Sequence, residues 1–371
     1  MSTFAPALST SRTSTRSSRI RIFIVDDSVV VRRLLTNALS AEPDFEIVGS
    51  ASSAEIALTK LPTLKPDVMT LDIMLPGMSG LELLPIVRQQ FPQMHTLIFS
   101  SATEAQAETA LDALMHGATA FLLKPNSDVS LGSSMEYLQR ELRDKIKQLC
   151  YRHTAQPAFA PMKPAPAFSA TAKRAEVLAI GVSTGGPTAL AALMAKLPHA
   201  FPLPIVIVQH MPPVFTELLA KRIRTVTGFN IVEATEGMVL EPGKAILAPG
   251  DYHMRVARSD TDTVIRLDQS PQECSCRPAV DVLFRSVADI YGGAAIATIL
   301  TGMGQDGLRG SEVLVRAGAH LIAQDEASSV VWGMPGAVTN AGLAHQILPL
   351  DQIADALMQQ ARSAIHGGFN R

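Results

Sequence analysis

Residues 20–28 read IRIFIVDDS: a run that is apolar but for Arg21, stopped by two acids and a serine. The run is short for a helix and does not alternate, so it reads as a strand buried on both faces, as in a parallel sheet. Behind Ser28, Val30, Val31, Leu34, Leu35, Ala38 and Leu39 recur at helical spacing and predict one apolar helix face. The rhythm then repeats. Glu46–Ala51, Asp67–Met74 (DVMTLDIM), His95–Ser101 and Ala120–Leu123 read as further strands, and Glu104–His116, closed by Gly117, as one of the helices between them. This alternation predicts a doubly wound parallel α/β sheet. In such a sheet, groups that handle ligands collect beyond the carboxyl ends of the strands.

Downstream, a charged helical stretch (Ser133–Leu149) precedes AQPAFAPMKPAPAFSATA at 155–172, an Ala/Pro-rich segment without periodicity that reads as a semi-rigid linker. A second α/β rhythm starts at Val177–Val182 and continues through Pro204–Gln209, Ala245–Ala248 and Ala294–Leu300. The expected plan is a disordered tail over 1–19, one domain over 20–140, a helix extension and linker over 141–176, a second domain over 177–362, and a tail over 363–371.

Composition narrows the functional classes. A length of 371 residues suffices for two domains, and 47% hydrophobic with 18% charged residues describes a globular chain. A net charge of −2 offers no basic footprint for nucleic acid. Three cysteines, Cys150, Cys274 and Cys276, are an odd count without a framework, which argues against a secreted disulfide scaffold. Cys274-Ser275-Cys276 is half a metal motif with no second pair, and reads as reduced surface thiols. No apolar run is long enough to span a bilayer, and residues 1–19 lack the apolar core of a secretory signal, so a cytoplasmic location is expected.

In the first domain the strand ends carry Asp26, Asp27, Asp72, Ser100 and Lys124. Three acids at neighbouring strand ends repel one another unless a cation sits among them, and a hard divalent ion such as Mg2+ takes oxygen ligands of this kind. A carboxylate held beside a metal and a lysine can accept a phosphoryl group. The pattern of Asp26-Asp27, Asp72 followed by Pro76 and Gly80, Ser100, and Lys124-Pro125 resembles a response-regulator receiver domain. That resemblance implies a flavodoxin-like fold with Asp72 as phosphoacceptor. It implies Mg2+ held by Asp27, Asp72 and the main-chain carbonyl of Met74 with Asp26 supporting, and Ser100, Phe121 and Lys124 as switch residues. Leu75 stands where that family often has methionine.

In the second domain Gly181-Val182-Ser183-Thr184-Gly185-Gly186 sits at a strand-to-helix turn. Small neighbours expose the serine, and the helix N-terminus aims free N–H groups at a developing oxyanion. His210 follows the next strong strand, and Asp306 ends a glycine-rich loop after Ala294–Leu300. Ser183, His210 and Asp306 thus form a candidate nucleophile, base and orienting acid, in a chain order unlike the common hydrolases. The turn also matches a dinucleotide fingerprint with its middle glycine lost, but Gln209-His210 stands where that fold places a ribose-binding acid.

GVSTGGP at 181–187, QHMPP at 209–213, CRPAVDVLF at 276–284, TGMGQDG at 301–307 and WGMPGAV at 332–338 resemble the catalytic domain of chemotaxis protein-glutamate methylesterases, the CheB family. Ala279 departs from the serine usual there. The resemblance implies a Rossmann-like domain without a cofactor in the esterase site, and Thr184 and the Met303 main-chain N–H as oxyanion or substrate contacts. It also implies demethylation of receptor glutamate methyl esters and deamidation of receptor glutamines. The partners implied are methylated chemoreceptor cytoplasmic domains as substrate and a chemotaxis histidine kinase as phosphodonor. Membrane association would then come only through receptors, and phosphorylation would relieve inhibition by the receiver.

Overall fold

The structure, a computed structural model, describes residues 19–100, 104–124, 131–150 and 174–366. The readings made above on residues 1–18, Pro125, the 155–172 linker and residues 367–371 lie outside them.

The first unit runs β1 (Ile20–Val25), α1 (Val29–Ser40), β2 (Phe45–Ala51), α2 (Ala54–Leu64), β3 (Val68–Leu71), α3 (Gly80–Gln90), β4 (His95–Ser100), α4 (Glu104–Met115), β5 (Ala120–Leu123) and α5 (Leu131–Cys150). Its sheet has the order β2-β1-β3-β4-β5 and every pairing is parallel. That is the flavodoxin-like order, whose switch point lies between β1 and β3. Ser28 caps α1, its hydroxyl accepting from Val31 N–H at 3.4 Å. The face expected for α1 is narrower than read: Leu35, Ala38 and Leu39 are buried but Val30 is 74% exposed, because it sits in the first turn above the sheet's rim. The third strand also stops earlier than read, at Leu71, so Asp72 lies just past its end. Gly80 opens α3 against that same bend, where an added Cβ would meet the Asp72 carbonyl oxygen at 2.6 Å. α5 is one unbroken helix to Cys150, and its Leu142 and Ile146 pack with Ile22, Ile24 and Leu35.

The second unit runs β6 (Val177–Val182), α6 (Gly186–Lys196), β7 (Ile205–Gln209), α7 (Phe215–Thr227), β8 (Ile231–Glu233), β9 (Ala245–Leu247), β10 (His253–Ser259), β11 (Asp262–Asp268), α8 (Val280–Tyr291), β12 (Ala295–Ile299), α9 (Leu308–Arg316), β13 (His320–Gln324), α10 (Met334–Asn340), β14 (Gln346–Leu348) and α11 (Leu350–His366). The main sheet has the order β14-β13-β12-β6-β7-β9-β8. Read from β9 to β14 this is the doubly wound Rossmann order, with β8 as an added edge strand. The switch point falls between β6 and β12. An antiparallel hairpin, β10-β11, lies outside the main sheet, a feature the strand rhythm did not reveal. β6, β7 and β12 are buried along their whole length, which is why they read as continuous apolar runs.

Candidate active site

Asp26 and Asp27 follow β1 and Asp72 follows β3, on the two sides of the first sheet's switch point. One carboxylate oxygen from each lies within 4.8 Å of the others. The Lys124 ammonium donates to Asp72 Oδ2 at 2.6 Å and to Asp26 Oδ2 at 3.4 Å. Burial raises the Asp26 pKa against the pull of Lys124, and the two acids in turn hold the lysine charged in spite of its own burial. Met74 N–H donates to Asp72 Oδ1 at 3.1 Å, which turns its peptide around the acid. Ser100 ends β4 beside this cluster, and its side chain is outside the described residues. Phe121 lies on β5.

The second site gathers at the ends of β6, β7 and β12. Ser183 closes β6, its N–H bonded to the Thr301 carbonyl at 3.0 Å across the switch point. Gln209 ends β7 fully buried, and its amide donates to the Ser183 carbonyl at 2.9 Å. Gly186 must be glycine here, since a Cβ would come within 1.8 Å of Gln209 Oε1. Gly302 likewise approaches Ser183, an added Cβ meeting the serine Cβ at 2.9 Å. Gly186→Ala is therefore expected to cost about 1–3 kcal/mol through displacement of Gln209. A fall in melting temperature together with lost activity would show it.

His210 Nε2 bonds Asp306 Oδ2 at 2.7 Å. Asp306 is buried, and its carboxylate also accepts from the N–H groups of Val280, Asp281 and Gly307. Those bonds fix the carboxylate and, with it, the ring. Burial pulls the His210 pKa down, but the neighbouring Cys276 sulfur and the bonded Asp306 carboxylate outweigh this and raise it. The other ring nitrogen, Nδ1, lies 3.6 Å from Cys276 Sγ. Among the described residues no hydrogen bond joins the Ser183 hydroxyl to His210, because the ring's free edge faces that thiol. Ser183, Thr184, His210, Cys276 and Met303 nonetheless line one cavity of about 420 Å³. The Met303 main-chain N–H has no acceptor among the described residues.

A family model described as CheB methylesterase matches residues 178–357, and one described as response regulator receiver domain matches residues 22–136. A protein-glutamate methylesterase/protein-glutamine glutaminase of Trichodesmium erythraeum is 45% identical over 92% of this chain and 99% of its own length. One from a Nocardioides strain is 43% identical over 92% of this chain and 95% of its own. The chain belongs to the protein-glutamate methylesterase family. A crystal structure of the Thermotoga maritima CheB methylesterase catalytic domain matches with 40% identity and a TM-score of 0.49, covering 50% of this chain and 98% of that one.

In this family member the two units touch beside the esterase cavity. Phe121 of β5 stacks on Phe215 of α7, with centroids 4.6 Å apart and planes 13° from parallel. Thr188 of α6 donates to the Leu114 carbonyl of α4 at 3.0 Å, and Arg222 of α7 pairs with Asp112 of α4 at 2.9 Å. Glu141, Asp144 and Lys145 of α5 line the same cavity as Ser183.

The sequence reading missed Gln209 and Thr301 as the clamps behind Ser183. Thr301 Oγ1 donates to the Thr184 carbonyl at 2.9 Å, and Thr301 N–H donates to buried Gln324 at 2.7 Å. A polar residue at the end of an apolar strand was the available signal. Cys276 was read as a surface thiol. It is instead half-buried against the imidazole, because Glu273 and Cys276 pair across a tight turn that folds it inward.

Proposed function

We propose that this chain is a phosphorylation-activated hydrolase that cleaves glutamate γ-methyl esters on chemoreceptors and deamidates specific receptor glutamines. The observation that carries the reading is the Asp306–His210 pair opening onto the cavity that Ser183 lines at the sheet's switch point. Ser183 is the nucleophile. His210 Nδ1, the nitrogen Asp306 leaves free, is the general base, and it must exchange Cys276 for the serine hydroxyl to act. The serine adds to the ester carbonyl while its proton passes to His210. The Met303 N–H, with Thr184 at the turn, stabilises the oxyanion. The imidazolium returns its proton to departing methanol, and a water activated by the same ring releases the glutamate. A glutamine takes the same path with ammonia as the leaving group.

In the receiver, which we place over residues 20–150 so that it encloses the α5 core, Asp72 is the phosphoacceptor and a chemotaxis histidine kinase the donor. The three carboxylates of Asp26, Asp27 and Asp72 fit a hard dication such as Mg2+, with the Met74 carbonyl as a further oxygen ligand. When bound, the ion would neutralise charge on the phosphoryl oxygens. Lys124 holds the same charge from the protein side, and Ser100 and Phe121 relay the change. The esterase unit then spans about 177–366. Among the described residues no helix is long and apolar enough to cross a membrane; we place the chain in the cytoplasm, meeting the membrane only through its receptor substrates.

The unphosphorylated receiver limits access to Ser183. The supporting geometry is α5 over the cavity and the Phe121–Phe215 stack. Phe121→Ala is expected to raise unphosphorylated activity roughly 3- to 10-fold, since such a stack is worth about 0.5–1.5 kcal/mol. Steady-state methanol release without phosphodonor is the readout. The defining experiment is methanol release from a methylated receptor fragment, with and without acetyl phosphate and Mg2+. Release that rises with phosphodonor is expected. No release under either condition would overturn the reading.

A further inference from the structure

The ring nitrogen that the esterase chemistry needs already has a neighbour, and that neighbour is a thiol. His210 Nε2 bonds Asp306 at 2.7 Å, and Cys276 Sγ lies 3.6 Å from Nδ1. As the side chains stand, Cys276, His210 and Asp306 are arranged as nucleophile, base and orienting acid.

The main chain holds the thiol there. Residues 273–276 form a tight turn closed by reciprocal main-chain bonds between Glu273 and Cys276. Cys274 and Ser275, at its centre, have φ of 51° and 61°, a region that non-glycine residues rarely occupy. On the other side, Arg277 donates to Asp251 at 2.6 Å and to the carbonyls of Gln269 and Ser270 at 2.9 and 3.0 Å. Cys276 is thus fastened from both sides, on the wall of the cavity of about 420 Å³ that Ser183 lines.

Lys145 of α5 lines the same cavity; burial pulls its pKa down, while Glu141 and Cys276 pull it back up. An imidazole that can take the proton, with a cationic group nearby, is the setting in which a thiol turns nucleophile. The other two thiols are set the other way. Burial, then Asp306 and Asp281, pushes the Cys274 thiol up to about 11, with Arg309 offsetting only part of the rise. Burial, then Asp67, pushes the Cys150 thiol up to about 12.

We infer that Cys276, with His210 as its base, is the thiol through which a small electrophile such as hydrogen peroxide modifies this chain, and that the modification silences the esterase. The Cys276 proton passes to Nδ1 as the sulfur attacks one peroxide oxygen. The O–O bond breaks, and the other oxygen leaves as hydroxide and takes that proton to become water. Sulfur is oxidised by two electrons to a sulfenic acid, and the peroxide is reduced. The new S–O–H donates to Nδ1 and keeps the base from Ser183. A small thiol then attacks the oxidised sulfur and expels water, and a second thiol frees Cys276, so the block is reversible. The silencing clause rests on the esterase reading; the modification clause does not.

The test uses the full-length, reduced chain and follows each cysteine's peptide by mass spectrometry. Exposure alone puts Cys274 first, since it is exposed and Cys276 is half-buried. With limiting iodoacetamide at neutral pH, Cys276 should instead be alkylated about 10-fold faster than Cys274 or Cys150. Cys274 reacting first or equally fast overturns the site. His210→Gln, checked for an unchanged melting temperature, should slow Cys276 about 10-fold and leave Cys150 as it was. An undiminished Cys276 rate in that variant overturns the role of the base.

Peroxide should leave a dimedone-trappable sulfenic acid at Cys276, and its absence there overturns the modification clause. Methanol release should fall with the same time course and return with dithiothreitol. Met303 lines the same cavity and is also oxidisable. Cys276→Ala should therefore lose activity about 10-fold more slowly, relative to its own untreated rate. Equal loss in that variant, or oxidised Cys276 without loss, would overturn the silencing clause alone. Absence of methanol release in the untreated wild type would instead strike the esterase reading and leave the alkylation result standing.

Discussion

Ser183→Ala lowers methanol release by about 10^4-fold or more while leaving the fold and receiver phosphorylation unchanged. The magnitude is that of removing a triad nucleophile, after which only binding and oxyanion contacts remain. The selectivity comes from how the residue is held. Its N–H bonds Thr301, and its carbonyl accepts from Gly186 N–H and the Gln209 amide. None of these involves the hydroxyl, so alanine keeps the backbone of the turn. Melting temperature and acetyl-phosphate labelling at Asp72 should match wild type. Near wild-type methanol release from the variant would remove serine chemistry from the account.

Asp306→Asn should cost about 10^3- to 10^4-fold in kcat and also reduce stability. The carboxylate accepts from His210 and from three main-chain N–H groups. An amide can accept on one side only, so its NH2 must face at least one of these donors. That leaves a buried mismatch worth about 1–3 kcal/mol. The ring loses its anionic partner as well and can settle in the wrong tautomer.

The stability loss has a pH signature. Burial alone would raise the Asp306 pKa, but the bonds from His210, Asp281 and Val280 outweigh it and hold it below the usual carboxylate range. A carboxyl with a depressed folded pKa contributes stability that is present above its unfolded value, about 4, and is lost as pH falls through the folded value. The difference in melting temperature between wild type and Asp306→Asn should therefore be largest near neutral pH and shrink in acid. A difference that grows in acid would contradict this assignment.

How much of this was legible beforehand depends on the distance over which each feature is determined. The buried strands declared themselves because β1, β6, β7 and β12 are apolar for local reasons, and the residues just past them, Asp26, Asp72, Ser183 and His210, are where such strands must end. Strand order put Ser183, His210 and Asp306 around one switch point, which the chain order Ser…His…Asp does not show. Gln209, Thr301 and Gln324 were hidden because their importance lies in which main-chain group each satisfies across strands. Cys276 was misjudged for the same reason, since a one-dimensional spacing rule cannot see the imidazole that its turn brings alongside. The β10-β11 hairpin escaped because no Asn-Gly or Asp-Gly pair marks its turn at Ser259–Asp262.

Phe121 and Leu114 on one unit join Phe215 and Leu218 on the other in a single apolar layer. Pulling the units apart wets that layer, so water itself drives them back together. On the function proposed above, the closed arrangement is the relaxed position of a spring and an aspartyl phosphate would hold it open. Closure would then need no second signal once that phosphate hydrolysed. The lifetime of one acyl phosphate would thereby be the clock that sets how long each burst of receptor editing lasts.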